Sequence, residues 1–259
     1  TAGDGVWWGY PWASPLTFAG DMTISGNADC YVHNKETNYF IVSGNVTIIS
    51  GAFTRNPDPI TSDNSFGSLT IEANGTYAAA ANGGEVLTIN SENATTGFAF
   101  DLLFSGDGTF THNDGTVFFK DTNLSSHSLM RPTGVVFYDF KMQYDNYNLT
   151  SWAGISVANK TTLYTPTGAG GRLSEGCNGY TGTGITWIEN GAKLDVGGCG
   201  RGAVANIGAL MCSGSIEFSQ GTTIIGGAGD ATFPTGVRDF YVASGATITH
   251  GEADDCLIR

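Results

Sequence analysis

"GTFTHNDGTVFF", residues 108–119, alternates apolar and polar positions on both sides of an Asn113-Asp114-Gly115 corner. A period of two is that of a strand with one buried face, and Asn, Asp and Gly tolerate tight bends. The stretch therefore reads as strand, corner, strand. His112 sits beside the corner with Asp114 close by, an arrangement that could present a catalytic or metal-binding group. The corner chemistry accounts for the same residues without catalysis: Asp114 can bond backbone amides and Gly115 can take positive φ.

The strand-corner-strand unit recurs. It reads "FIVSGNVTIIS" from Phe40, "LTIEANGTYAAA" from Leu69, "ISVANKTTLYT" from Ile155 and "ITWIENGAKLDV" from Ile185. It returns as "IEFSQGTTIIG" from Ile216 and "FYVASGATITH" from Phe240. No segment sustains a helical period with caps at both ends, so the chain is expected to be all-β. A constant unit at unequal spacing is what a coiled β-solenoid produces, because strands must stack while loops vary in length. The rival is a β-sandwich or jelly roll, whose hairpins use the same short strands and Asn-Gly corners. A sandwich gives its strands no reason to repeat one another, and the solenoid is preferred.

The segment "FTHNDGTVFFKDT", followed by "GVVFYDFKM", resembles the degenerate repeats of extracellular right-handed parallel β-helix proteins of microbial surfaces and viral fibres. Those repeats read roughly "FTHNNGTVTF" and then "FYNLTI". The resemblance runs from Phe110 to Met142. It departs from the pattern in Asp114, where Asn is usual, and in the longer spacer "NLSSHSLMRPT". It implies a parallel β-helix and carries no activity.

Composition agrees with many short strands joined by tight corners. The 259 residues include 38 glycines, and 41 % are hydrophobic, enough to build a core. Only 14 % are charged, with a net charge of −13. A phosphate backbone or anionic membrane surface would repel such a chain, so neither nucleic acid nor an anionic membrane is an expected partner. No apolar run reaches the length of a membrane span, and no basic-then-apolar leader is present. The chain begins at Thr1 and reads as a mature product whose leader was removed. Six N-x-S/T sequons, at Asn45, Asn74, Asn93, Asn123, Asn148 and Asn159, point toward an exported glycoprotein on a cell or virion surface.

The cysteines are Cys30, Cys177, Cys199, Cys212 and Cys256, with no C-x-x-C and no histidine at zinc-like spacing. In an oxidising compartment Cys177, Cys199 and Cys212 are the candidates for a bridge. The odd count leaves one thiol free or paired across a subunit boundary.

The N-terminal "VWWGYPWASP" stands apart, since Trp7, Trp8, Tyr10 and Trp12 crowd into six residues. A solenoid must cover the apolar core at its ends, so residues 1–19 read as an aromatic cap or as an arm that engages a neighbouring subunit. A flat-ring platform for sugars is a further reading. Residues 20–259 are then the solenoid domain.

Chemistry-bearing motifs are scarce. "GGAGDATF", from Gly226, is similar to a calcium nonapeptide, but Asp230 falls one position early and the stretch occurs once. "EADD", Glu252 to Asp255, reads as a solvated acidic tip, and "RNPDPITSDN", from Arg55, as a proline-punctuated loop. Parallel β-helices include pectate lyases and polygalacturonases, yet the lyase R-x-P-x-x-R and the galacturonase N-T-D and R-I-K elements are missing. There is no G-x-S-x-G, P-loop or H-E-x-x-H. The expectation is a non-enzymatic protein without cofactor or metal, extracellular, whose partner is itself. It would assemble head-to-tail into a filament, sheath or surface layer through Trp7, Trp8, Tyr10 and Trp12. A glycan-binding adhesin or viral fibre domain is the alternative, and a polysaccharide lyase or hydrolase comes third.

Overall fold

A computed structural model describes residues 6–8, 15–26, 28–32, 40–55, 63–79, 84–90, 98–102, 108–120, 128–144, 148–167, 170–175, 179–196, 204–218, 223–225, 240–250 and 256–258. All regular structure among them is strand, and no helix is long and apolar enough to cross a membrane. The chain divides into two compact units, Thr1–Lys120 and Asp121–Arg259.

The first unit contains β1 (Val6–Trp8), β2 (Leu16–Phe18), β3 (Met22–Ile24), β4 (Ala28–Val32), β5 (Phe40–Arg55), β6 (Ser65–Ala78), β7 (Val86–Asn90), β8 (Phe98–Leu102), β9 (Thr109–Thr111) and β10 (Thr116–Lys120). They stack in three parallel ladders. One runs β2, β5, β6, β7, β10; the second runs β3, β5, β6, β8; the third runs β1, β4, β5, β6, β9. The long strands β5 and β6 serve all three ladders by bending at register shifts between Val42 and Asn45 and between Ile48 and Ser50. A strand that meets its parallel partner one coil later is a solenoid turn. The sandwich would need antiparallel hairpins, and the described pairs in this unit are parallel.

The second unit repeats the plan with β11 (Ser128–Pro132), β12 (Val136–Gln143), β13 (Asn148–Ser151), β14 (Ile155–Tyr164), β15 (Arg172–Glu175), β16 (Tyr180–Ile188), β17 (Lys193–Val196), β18 (Ala205–Cys212), β19 (Ser215–Phe218), β20 (Thr223–Ile225), β21 (Phe240–Val242), β22 (Thr247–His250) and β23 (Cys256–Ile258). The short strands β11, β13, β15, β17, β19 and β22 form one parallel face. The bent strands β12, β14, β16 and β18 each supply two faces. Beyond β18 these faces are continued separately, by β20 and β23 on one and by β21 on the other. Coil length varies, since the step from Ala205 to Thr223 is much shorter than that from Thr223 to Cys256.

The sequence repeats starting at Ile155, Ile185, Ile216 and Phe240 therefore fall on different corners of the coil. Ile155 opens a bent strand, Ile185 lies in the second half of one, and Ile216 belongs to the short-strand face. The corners look alike because each makes the same bend, and their spacing does not measure the coil. The ladder also begins ahead of residue 20, because β1 and β2 are already paired as coil strands.

Burial follows the stacking. In the first unit Val42, Phe66, Ile89 and Phe119 pair coil to coil and are buried. Aromatic rings pile up beside them: Phe53 stacks on Tyr77 at 5.5 Å and Tyr77 on Phe110 at 5.5 Å, with Phe53 edge-on to Phe40 and Phe66. In the second unit Leu149, Leu173, Leu194 and Ile216 make a buried aliphatic row. The core is thus a set of columns, each side chain packed on its equivalent above and below.

Phe53 lies in the centre of such a column, whereas Ile49 on the same strand is 39 % exposed. Phe53→Ala is expected to destabilise by about 3–5 kcal/mol through the cavity it leaves. Ile49→Ala should cost about 1 kcal/mol or less, as surface changes do. Denaturant unfolding followed by circular dichroism compares the two.

Candidate functional site

The first described coil is an unfinished edge. Among the described residues β1 pairs only with β4, and β2 and β3 only with β5. Their core-facing side chains show the loss of a neighbour. Leu16, Phe18 and Met22 are half-buried, while their partners Phe40, Val42 and Val46 are at most 2 % exposed. Trp7 and Trp8 lie on β1, opposite Tyr31 and Val32 in register. Tyr10 and Trp12 lie outside the described residues. The two tryptophans are thus brought to the edge of the third ladder, in a strand whose far side has backbone groups to offer.

The Asn113-Asp114-Gly115 corner is built differently from the sequence expectation. Positive φ falls on Asn113 (44°) and Asp114 (62°), and the turn closes through a 2.8 Å bond from the Gly115 amide to the His112 carbonyl. Gly115 is required for closeness instead, since a Cβ there would meet the Glu85 carbonyl oxygen at 2.9 Å. Asp114 does not bind the turn amides through its carboxylate in any printed bond; its own amide donates to His112 Nδ1 at 2.9 Å, so the neutral ring carries its proton on Nε2. Asn113 reaches across to the Ala79 carbonyl at 2.6 Å.

Behind the corner lies a buried polar cluster that the sequence did not reveal. Glu85, 1 % exposed, accepts bonds from Tyr77 Oη at 2.8 Å and Asn64 Nδ2 at 2.9 Å, and Asn64 Oδ1 in turn accepts the Phe40 amide at 3.0 Å. Tyr77, Glu85, Phe110 and His112 line a cavity of about 10 Å³ there. That volume holds about one water and no substrate. The cluster ties successive coils together, because each bond joins residues of different turns.

The outward face of β12, β14 and β16 carries aromatic and charged side chains in rows. Lys160 Nζ lies 4.8 Å from the Trp187 ring centre and Lys141 Nζ 5.1 Å from that of Tyr164. Tyr164 Oη donates to Gln143 at 2.5 Å, and its acidity is weakened by burial and then by Glu189. On the short-strand face Arg172 pairs with buried Asp195, and Lys193 with Glu217. Each pair reaches to the next coil and two positions along, a diagonal brace. The Lys193 ammonium bonded to Glu217 holds that carboxyl below its ordinary range.

Of the bridge candidates, Cys177 and Cys199 lie outside the described residues, and Cys212 is a buried free thiol, as is Cys30. Burial pushes each of these two thiols up to about 11. The sequons divide by exposure. Asn45 is 5 % exposed, with its Oδ1 accepting the Ser68 hydroxyl, so a glycan there would have to break the packing. Asn74 and Asn159 are exposed, Asn148 is half-buried, and Asn93 and Asn123 lie outside the described residues. His33, His127, Asp230 and the Glu252–Asp255 tip also lie outside them. Among the described residues no three His, Cys, Asp or Glu side chains gather as metal ligands.

No protein-family model, curated protein or solved structure matches this chain.

Expressed through a secretory pathway that attaches N-glycans, Asn74→Gln and Asn159→Gln should each remove one glycan mass, and Asn45→Gln none, by intact mass spectrometry. In single-cysteine variants Cys30 and Cys212 should resist iodoacetamide at pH 8, because a thiol titrating near 11 is almost entirely protonated there, and should react once the chain is unfolded.

Proposed function

We propose that this is an extracellular structural protein that assembles head-to-tail into a filament, sheath or surface layer. The observation that supports it best is the first described coil. Three short strands, one carrying Trp7 and Trp8, are paired on one side only and leave core-facing apolar side chains half covered. Natural solenoids blunt such ends with charge, proline or a cap, since an open edge recruits another chain. Here β1, β2 and β3 contain no charged residue. A contact made by one end of a chain on the other end of the next is heterologous, and it propagates when its rotation does not close.

Glycan recognition has weaker support. The outward rings of Tyr164 and Trp187 each hold a lysine ammonium over the ring, where a sugar face would stack. A catalytic reading has less, because the cavity beside His112 and Glu85 admits only a water-sized guest.

Negative-stain electron microscopy and light scattering over a concentration series test the proposal. The intact chain should form regular fibres or lattices. Deletion of residues 1–13, which removes β1, should abolish assembly and leave the β signal in circular dichroism. Discrete particles of the intact chain at every concentration, or assembly of the deletion variant at the original rate, would overturn it.

A further inference from the structure

The opposite end of the strand order is also unfinished. Among the described residues β21, β22 and β23 each have a partner on one side only, in β18, β19 and β20. Ile248 sits in the core-facing column above Ile216, yet it is 37 % exposed where Ile216 is 1 %. Val242 stands over Cys212 and is likewise 37 % exposed where Cys212 is fully buried. Phe240, over the buried Leu210, is half-buried. These side chains occupy core positions and lack the next coil that would cover them.

We infer that the β21–β23 edge is the acceptor in assembly, and that its occupant is the β1–β3 edge of a second copy of this chain, added as a further coil in parallel register. The inference rests on the assembly reading and supplies the surface it lacked. Three features of the chain favour a second copy as the occupant. Each end presents three short strands, so the two edges match in number and each can extend the other's ladders. Every described ladder is parallel within its unit, and a copy added head-to-tail keeps that polarity, whereas a tail-to-tail contact would force antiparallel pairing. Not one position in β1, β2, β3, β21, β22 or β23 is Asp, Glu, Lys or Arg. Interior strands do carry charges, including Glu72, Asp139, Lys141, Lys160, Lys193 and Glu217. In a chain of net charge −13, two acidic edges would repel; these two meet as threonines and apolar residues.

Backbone pairing at such a junction gives affinity, and apolar core contact selects the register, as in strand addition to a sheet edge generally. Each added coil would advance the stack by about 4.8 Å.

Two edge-blocked variants of the full chain test the inference. Val242→Lys with Ile248→Lys places charges on the acceptor edge, and Thr17→Lys with Thr23→Lys places them on the outward side of the donor edge. Each variant alone should be monomeric in analytical ultracentrifugation, with the β signal retained. Mixed in equal amounts they should form a heterodimer and nothing larger, because one intact donor edge meets one intact acceptor edge. If the acceptor change costs the fold its β signal, Thr247→Lys with Thr249→Lys blocks the same edge from its exposed side and leaves the core untouched. Wild-type assembly of a folded acceptor variant overturns the acceptor and leaves the assembly reading standing. Two monomeric variants that fail to pair overturn the head-to-tail junction. An intact chain that never assembles overturns both.

Discussion

Parallel stacking of one coil on the next is the constraint from which the rest of this molecule follows. A strand in a parallel ladder satisfies its amides and carbonyls only through neighbours, and in a coil those neighbours are the preceding and following turns. The same stacking sets side chain upon equivalent side chain. Phe53, Tyr77 and Phe110 form an aromatic column for that reason, and Leu149, Leu173, Leu194 and Ile216 an aliphatic one. Polar groups obey it too. Buried Glu85, Asn64 and Tyr77 are tolerable because each finds a partner in an adjacent turn, and an unpartnered carboxylate in that place would be costly.

The constraint has a necessary failure at the ends. An interior coil is covered above and below, and a terminal one is covered once. Leu16, Phe18 and Met22 at one edge and Val242 and Ile248 at the other show the result as partial exposure of residues in core positions. Neither edge carries the charges that would discourage a partner. Ends that are apolar, uncharged and equal in strand number are the physical basis of the assembly reading.

The outward surface tells a different story. Lysines lie over aromatic rings, and ion pairs brace successive coils diagonally, as Arg172 does with Asp195 and Lys193 with Glu217. Partly exposed pairs of this kind add little stability singly, since water screens them. Their geometry nonetheless favours one register of coil on coil, because a one-residue slip would part each cation from its carboxylate.

Much of this was legible in the chain itself. Alternation around short Gly, Asn and Asp corners identified strands, and the recurrence of the unit separated a solenoid from a sandwich, because both signals are local. The aromatic segment at Trp7 and Trp8 was visible for the same reason. Other features depend on which residues lie one coil apart, and loop length conceals that. Repeats at Ile155 and Ile185 look equivalent in the chain and sit at different corners of the coil. Gly115 looks like a positive-φ position and is in fact a close-contact one, because the Glu85 carbonyl comes from another turn. Asn45 reads as a glycan acceptor and is buried against Ser68. The exposure of Ile248 was also beyond reach, since its sequence environment resembles that of the buried Ile216. Local sequence determined the strands, the corners and the absence of charge at the two edges. Tertiary structure decided which apolar residues are covered, because coverage belongs to the neighbouring coil and not to the residue.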